Sequence, residues 1–510
     1  MSGAGRHPLG AVLVLTALLA LWVDLSVIHR YHNSDSLIPV MMSLVHWTPF
    51  YWEQNRFGML VPLLALPFQD PFQNLLVQTA LRLFALFLSF FLLARVTVPR
   101  PWWPAVGGAA LALFLAGKDP AQHNFQQMQP YFQALSLALG GVLLLERRTR
   151  TSAIAGSVLI ALAFWISLET LLWLAPLLVL RRIAAGSEGP RRWGRELFPF
   201  ALLAACFGAS LLASRLSPYQ GTHLGFAPPA LWFHAWERLL RHGLEFLGPV
   251  LPWTIAVLLM VAALLAVARQ ERARPALAAG LCLLGTAVAN LLILGTSGWV
   301  HMNDFRVRFL AVGLLAAALA GPALLLGLLL EGKPARQRSA VNVAVLLALL
   351  PLTFLRYGAP SPAAARAAID ELSPVGERIA AAGCTHVLGD YWKVWPAVFE
   401  ADVLLAERGE GRRVWGIARR STPSLDLWRP RDWSTARIAV LGAPGLDQRL
   451  RAYFRIPPTG SPGGPSLCGG EERGPETEGM ISLRGIRPGP PSVPGQQPAG
   501  EPLSQEPGIR

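Results

Sequence analysis

The first residue able to do chemistry is Asp35, in the segment YHNSDSL from Tyr31 to Leu37, just beyond a long apolar run. A carboxylate where water meets lipid is partly desolvated, which raises its pKa and suits it to accept a proton near neutrality. A helix cap or a hydrated loop acid is the competing reading. A second group follows in WTPFYWEQNRFGML, Trp47 to Leu60. Here Trp52 and its aromatic neighbours offer flat faces for sugar rings, Gln54 and Asn55 offer amides for hydroxyls, and Arg56 offers a fork for phosphate oxygens. An interfacial aromatic belt accounts for the tryptophans but not for the polar run Glu53 to Arg56. Further polar positions are Lys118 and His123 in KDPAQHNFQQMQPYF, then Glu169, then Asn303, Asp304, Arg306 and Arg308 in HMNDFRVRF. Arg306 and Arg308 open an apolar run, at the depth of a lipid phosphate, although arginines also snorkel at helix ends. Nearer the C-terminus, GDYWKVWPAVF carries Tyr391 and Trp392 as candidate acceptor contacts, or as packing after a strand. A Gly-rich phosphate loop, HExxH and GxSxG are all missing from the sequence, which excludes the common ATPase, metalloprotease and serine-hydrolase readings.

The elements that must position these groups are set by composition. Over 510 residues, 53% are hydrophobic and only 15% charged, a lipid-embedded balance. Apolar runs near twenty residues recur from Leu9 to about Leu355, each long enough to cross a hydrocarbon core as a helix. About eleven spans are expected: 9–28, 72–94, 102–117, 130–145, 152–168, 170–180, 197–213, 249–268, 276–295, 309–330 and 340–356. The stretch 152–180, with Glu169 in its middle, reads either as one long helix or as two short ones. Residues 57–66 are too short to span and are expected to lie at the interface or re-enter.

The net charge of +14 is divided unevenly, with +13 in residues 1–356 and +1 in residues 357–510. Basicity confined to the apolar part is a topology signal and excludes a nucleic-acid patch on the C-terminal part. With the N-terminus inside and 152–180 counted as two spans, one set of loops holds 17 Lys and Arg and the opposite, longer set holds 8. Positive residues stay cytoplasmic, so the N-terminus is expected inside and the chemistry-bearing loops and C-terminal part outside.

From Gly358 the pattern becomes that of a soluble chain. Residues 361–382 read as helical, 384–390 as a strand, 391–399 as a turn and short helix, and 437–442 as another strand, which together predict a small α/β domain over 357–456. The Pro, Gly, Ser and Glu of 457–510 cannot bury a core and predict disorder. Cys206 and Cys282 fall in apolar runs as packing residues, while Cys384 and Cys468 leave a disulfide open if their compartment is oxidising. No cysteine has metal-ligand spacing.

In architecture the chain resembles the GT-C superfamily of membrane glycosyltransferases, through NSDSL, FYWEQNRFG, NDFRVRF and GDYWKVWPAVF. The resemblance implies an all-α polytopic membrane domain over 1–356 with an extracytoplasmic C-terminal domain. It implies transfer of a sugar from a polyprenyl-phosphate donor to an extracytoplasmic acceptor, with inversion. Asp35 would be the catalytic base, and Arg306 or Arg308 would bind the donor phosphate; Arg56 is a further phosphate-binding candidate by its residue type. Many members pair two acids in the first loop, whereas the neighbours of Asp35 are Asn33, Ser34 and Ser36; Glu53 is then the candidate second acid, and a divalent metal is an open question. Lipid phosphate leaves readily, so one base suffices. The usage of 42 Arg to 3 Lys matches a high-GC bacterial genome, which would make the outer side the periplasm and the membrane the inner one. A transporter or flippase for a lipid-linked saccharide is the competing class, and an O-antigen ligase or polymerase using His223, His234, Arg238, Arg241 and His242 is a third.

Overall fold

The computed structural model describes residues 7–98, 101–117, 130–147, 149–184, 193–219, 225–246, 274–303, 305–442 and 445–468. It divides into two compact units, Met1–Ile369 and Asp370–Arg510. The chain is mostly helical with one small sheet.

The first unit begins with α1 (His7–Asp24), α2 (Ser34–Leu44), α3 (Leu60–Ala65), α4 (Pro71–Thr97) and α5 (Trp103–Leu115). It continues with α6 (Tyr131–Leu145), α7 (Arg150–Ile166), α8 (Thr170–Ala184) and α9 (Trp193–Arg215). The remaining helices are α10 (Trp232–Phe246), α11 (Arg274–Gly295), α12 (Gly298–Met302), α13 (Ala311–Leu330), α14 (Ala335–Tyr357) and α15 (Pro362–Asp370). Among the described residues, five helical stretches are long and apolar enough to cross a membrane: Pro71–Thr97, Phe198–Arg215, Pro275–Gly295, Arg308–Leu330 and Ala335–Tyr357. Four more apolar helices are shorter, at Pro8–Asp24, Trp103–Leu115, Tyr131–Leu145 and Arg150–Ile166. The expected span 249–268 lies outside the described residues.

Local chemistry sets the helix ends. Asp70 caps α4 by accepting from Gln73 N at 2.8 Å, with Pro71 at the first helical position, where its missing N–H costs nothing. Thr149 and Ser152 form a reciprocal capping box that starts α7. The stretch 152–180 is two helices, because α7 stops at Ile166 and α8 starts at Thr170, leaving Glu169 in the turn between them.

Close packing of α6 and α7 depends on two glycines that face one another. A Cβ on Gly141 would lie 2.7 Å from the Gly156 carbonyl oxygen, and a Cβ on Gly156 would lie 2.7 Å from that of Gly141. Small residues let membrane helices approach where lipid gives no hydrophobic drive to association. Ser89 of α4 and Ser136 of α6 add a buried hydrogen bond at 2.9 Å.

The second unit is built on a four-stranded parallel sheet in the order β2-β1-β3-β4, from β1 (His386–Gly389), β2 (Trp415–Ile417), β3 (Arg437–Leu441) and β4 (Ser466–Leu467). Its helices are α16 (Gly376–Ala381), α17 (Tyr391–Glu407), α18 (Leu425–Trp428) and α19 (Leu446–Phe454). The short helix expected over 391–399 therefore runs to Glu407, and β2 and β4 had no sequence counterpart. Gly389 (φ 152°) lies where β1 and β3 touch, since a Cβ there would meet the Leu441 carbonyl oxygen at 1.7 Å. Cys384, ahead of β1, is disulfide-bonded to Cys468, just after β4. Residues 457–468, assigned by composition to the tail, thus contain a strand and a bridged cysteine; sheet pairing and the covalent bond supply what composition could not. The rest of the tail, 469–510, lies outside the described residues.

Candidate functional site

The site is assembled by three segments of the first unit. The first is the turn into α2. Asn33 caps this helix, accepting from Ser36 N at 3.2 Å, while Ser36 Oγ accepts from Asn33 N at 2.8 Å. Asp35 is thereby held in the first helical turn, where the exposed N–H groups and helix dipole favour a carboxylate. The capping role belongs to Asn33 and not to Asp35.

The second segment is the loop 45–59, which closes on itself. Tyr51 N donates to Phe57 O at 3.2 Å, Met59 N to Pro49 O at 3.1 Å, and Trp47 Nε1 to Met59 O at 2.9 Å. Two turns in this loop need left-handed backbone, at Glu53 (φ 56°) and Phe57 (φ 62°). The loop is pinned at Gly58, whose N–H points at Trp165 O (3.1 Å) and Ile166 O (3.2 Å) at the end of α7. Arg56 is consequently fixed: its Nε donates to Gln54 Oε1 at 3.0 Å, and its guanidinium lies 3.9 Å from the Trp299 ring centre and 4.2 Å from that of Phe57. Both separations are well inside the cation–π range.

The third segment is 299–312, entering α13. Arg308 presents its Nη1 4.0 Å from Asp35 Oδ2, with both side chains largely buried. That pairs two residues singled out from distant stretches of sequence. The Arg308 Nε is buried with no hydrogen-bond partner, and so are Trp299 Nε1, Ser167 Oγ and Asn55 Oδ1. Three of these four atoms are donors, two of them on the 299–312 segment and one, Ser167 Oγ, in the turn after α7. Such atoms also occur elsewhere, at Trp102 Nε1, Thr79 Oγ1 and Arg338 Nε; those at the site have room in their hydrogen bonding for an acceptor-rich ligand or water.

Glu169 lies in the turn between α7 and α8. Burial raises its carboxyl to about 7, against the opposing pull of Arg56 and Arg308. It keeps some surface because it lines a narrow cleft with Tyr131, Trp173, Asn290 and Phe309. Tyr131, at the start of α6, is within electrostatic reach of Glu169, Arg308, Arg56 and Asp35. Two carboxylates and two guanidiniums within electrostatic reach of one another have the chemistry to bind an anion and move a proton.

The other sequence candidates divide clearly. Trp52 is 1% exposed and donates to His46 O at 3.0 Å, so it is core of its own loop and cannot stack on a ligand. Asn55 is buried, and Gln54 is engaged by Arg56. Glu53 sits at the loop's left-handed turn, half-buried. Asn303 closes its own helical turn on Trp299 O at 2.8 Å, and Arg306 is exposed ahead of the turn containing Arg308. Lys118, His123, Asp304 and His223 lie outside the described residues. In the second unit, Tyr391 accepts from Arg420 Nη1 at 2.6 Å, and Trp392 is partly exposed at the start of α17. Among the described residues no group of three or more His, Cys, Asp or Glu side chains could hold a metal ion. Sequence reasoning missed Trp299 and did not single out Tyr131; their burial and partners were invisible without the fold. No family model matches the chain, and neither a curated protein nor a solved structure matches it.

Proposed function

We propose that the protein is a membrane glycosyltransferase that moves a sugar from a polyprenyl-phosphate donor to an acceptor on the outer side of the membrane. The observation that carries the reading is the pairing of Asp35 with Arg308, whose Nε lacks an acceptor, beside Arg56. At 4.0 Å these two atoms are close without a direct hydrogen bond, which leaves guanidinium donors for a phosphate. Arg308 and Arg56 stabilise the departing phosphate, and Asp35 takes the proton of the attacking hydroxyl. Glu169, poised near neutrality, orients hydroxyls of the sugar or acceptor.

Two independent features support the sidedness. The loop charge bias favours a cytoplasmic N-terminus. The Cys384–Cys468 disulfide fits an oxidising compartment for the second unit, which in a bacterium is the periplasm. The transporter reading instead predicts charges along a through-going path near the midplane.

The test uses purified full-length protein in proteoliposomes with a panel of radiolabelled polyprenyl-phosphate sugars, following sugar release to water and added glycan acceptors. Turnover by the wild type and its loss in Asp35→Asn, with membrane insertion retained, are expected. Undiminished turnover in Asp35→Asn would overturn the mechanism, and vesicle translocation of intact donor without cleavage would favour transport.

A further inference from the structure

Between α1 and α2 a chain of hydrogen bonds runs through two histidines to the turn that carries Asp35. His29 is fully buried, with Nε2 2.7 Å from the Asp24 carbonyl oxygen and 3.5 Å from Asp24 Oδ1. Its Nδ1 lies 3.0 Å from His32 Nε2, and His32 Nδ1 lies 3.2 Å from Ser36 Oγ. Ser36 is the reciprocal partner of Asn33 in the cap of α2.

The buried end fixes the direction of the first two bonds, and a neutral His32 then fixes the third. A carbonyl oxygen only accepts, so His29 Nε2 carries the hydrogen. Burial holds His29 down at about 4, so the ring is neutral and its Nδ1 is an acceptor. His32 must then donate from Nε2, which leaves His32 Nδ1 to accept from the Ser36 hydroxyl. That hydroxyl also has Asn33 O at 2.8 Å as a second acceptor; if it donates there alone, Nδ1 of His32 must carry a hydrogen, which requires a charged His32, a charged His29, or a His29 lone pair turned toward the Asp24 carbonyl at 2.7 Å.

We propose that His29 and His32 are positioning residues that fix the first turn of α2, and with it Asp35, relative to Arg308. The inference rests on the reading of Asp35 as the base. Asp24 anchors the chain at the buried end, and Ser36 passes the constraint to the residue beside it. The ring-to-ring bond supplies a rigid link that a flexible side chain would not.

The experiment uses full-length protein in nanodiscs. With 15N-histidine labelling, His29 and His32, assigned by single substitution among the ten histidines of the chain, are expected as neutral Nε2–H tautomers. A charged ring or an Nδ1–H tautomer at either position at pH 7 overturns the chain. The 13C carboxyl signal of Asp35, identified by its loss in Asp35→Asn, reads positioning without any substrate. It is expected to shift in His32→Phe and to return toward wild type in His32→Asn, which keeps an acceptor where Nδ1 was. An unmoved Asp35 signal in His32→Phe overturns the proposal, and should that variant fail to fold, an Asp35 signal in His32→Asn as displaced as in His29→Phe overturns it instead. With a cleavable polyprenyl-phosphate sugar, His32→Phe is expected to lower kcat tenfold or more with KM changed less than threefold. Failure of every donor with the wild type would defeat the proposed function while the two spectroscopic readouts still decide the positioning claim.

Discussion

Replacing Gly58 by alanine tests how the loop that carries Arg56 is held. A Cβ there would lie 2.6 and 2.7 Å from ring atoms of Trp165 and 2.8 Å from the Trp165 carbonyl oxygen. Carbon contacts are optimal at about 3.5–4.0 Å, so the loop or the indole must move by roughly 1 Å. The move threatens the Gly58 N–H bonds to Trp165 O and Ile166 O, and the bridge between Phe50 and Gly58. Overpacking of this kind costs about 1–3 kcal/mol, and a lost hydrogen bond about 1 kcal/mol more. Gly10→Ala is the control, because a Cβ there meets nothing within 4 Å. Thermal unfolding of the full chain in nanodiscs is the assay. The Trp299 share of the fluorescence, taken by difference against Trp299→Phe, reports whether Arg56 stays on its ring. A Gly58→Ala protein as stable as Gly10→Ala, with that emission unchanged, refutes the close approach and the anchoring role drawn from it.

Three further outcomes follow from single groups. Glu169 has a folded pKa raised to about 7, so it costs stability as pH rises from the unfolded value through 7; Glu169→Gln should gain roughly 1–2 kcal/mol over the wild type at pH 8 and nothing at pH 4, after discounting for the cleft. Asp402 is 3% exposed, accepts from Val414 N at 2.7 Å, and is raised by burial to about 7, so amide protection across the second unit, measured as exchange corrected for the intrinsic rate at each pH, should be greater at pH 5 than at pH 8, and Asp402→Asn should reduce that difference. Cys384→Ser removes a bond closing a separation of 84 residues and should destabilise the second unit by about 2–5 kcal/mol, read as faster exchange in β1 and β4.

Much of the fold was legible because helices and lipid obey simple rules of length and apolarity, as Pro71–Thr97 and Ala335–Tyr357 illustrate. The break near Glu169 was legible as a charge the bilayer rejects, and only the structure shows that it falls in a turn. Span counting reaches its limit at Tyr131–Leu145 and Arg150–Ile166, which are apolar yet shorter than a full crossing, and apolarity does not reveal how α6 and α7 use Gly141 and Gly156 to pack. In the second unit β1 and β3 read as short apolar strands, whereas β2 and β4, with three and two residues, carry too few positions for any alternation to register.

The site was legible as residue types and illegible as partnerships. Asp35 and Arg308 each had a bland explanation, a cap and a snorkelling end; what separates them from it is that Asn33 already caps α2 and that the guanidinium turns inward to the acid. Trp52 and Trp299 make the same point in reverse. Both are tryptophans near polar residues, but the indole of Trp52 is spent on His46 O inside its loop, while the face of Trp299 carries Arg56 and its Nε1 has no partner. Aromatic content marks where a ligand could stack, and the disposition of the N–H distinguishes an indole committed to its own loop from one whose N–H is uncommitted. The unsatisfied donor on Arg308 is the sharper observation for an anionic ligand, because it sits on the guanidinium that faces Asp35, whereas unsatisfied donors such as Trp102 Nε1 occur away from any candidate acid.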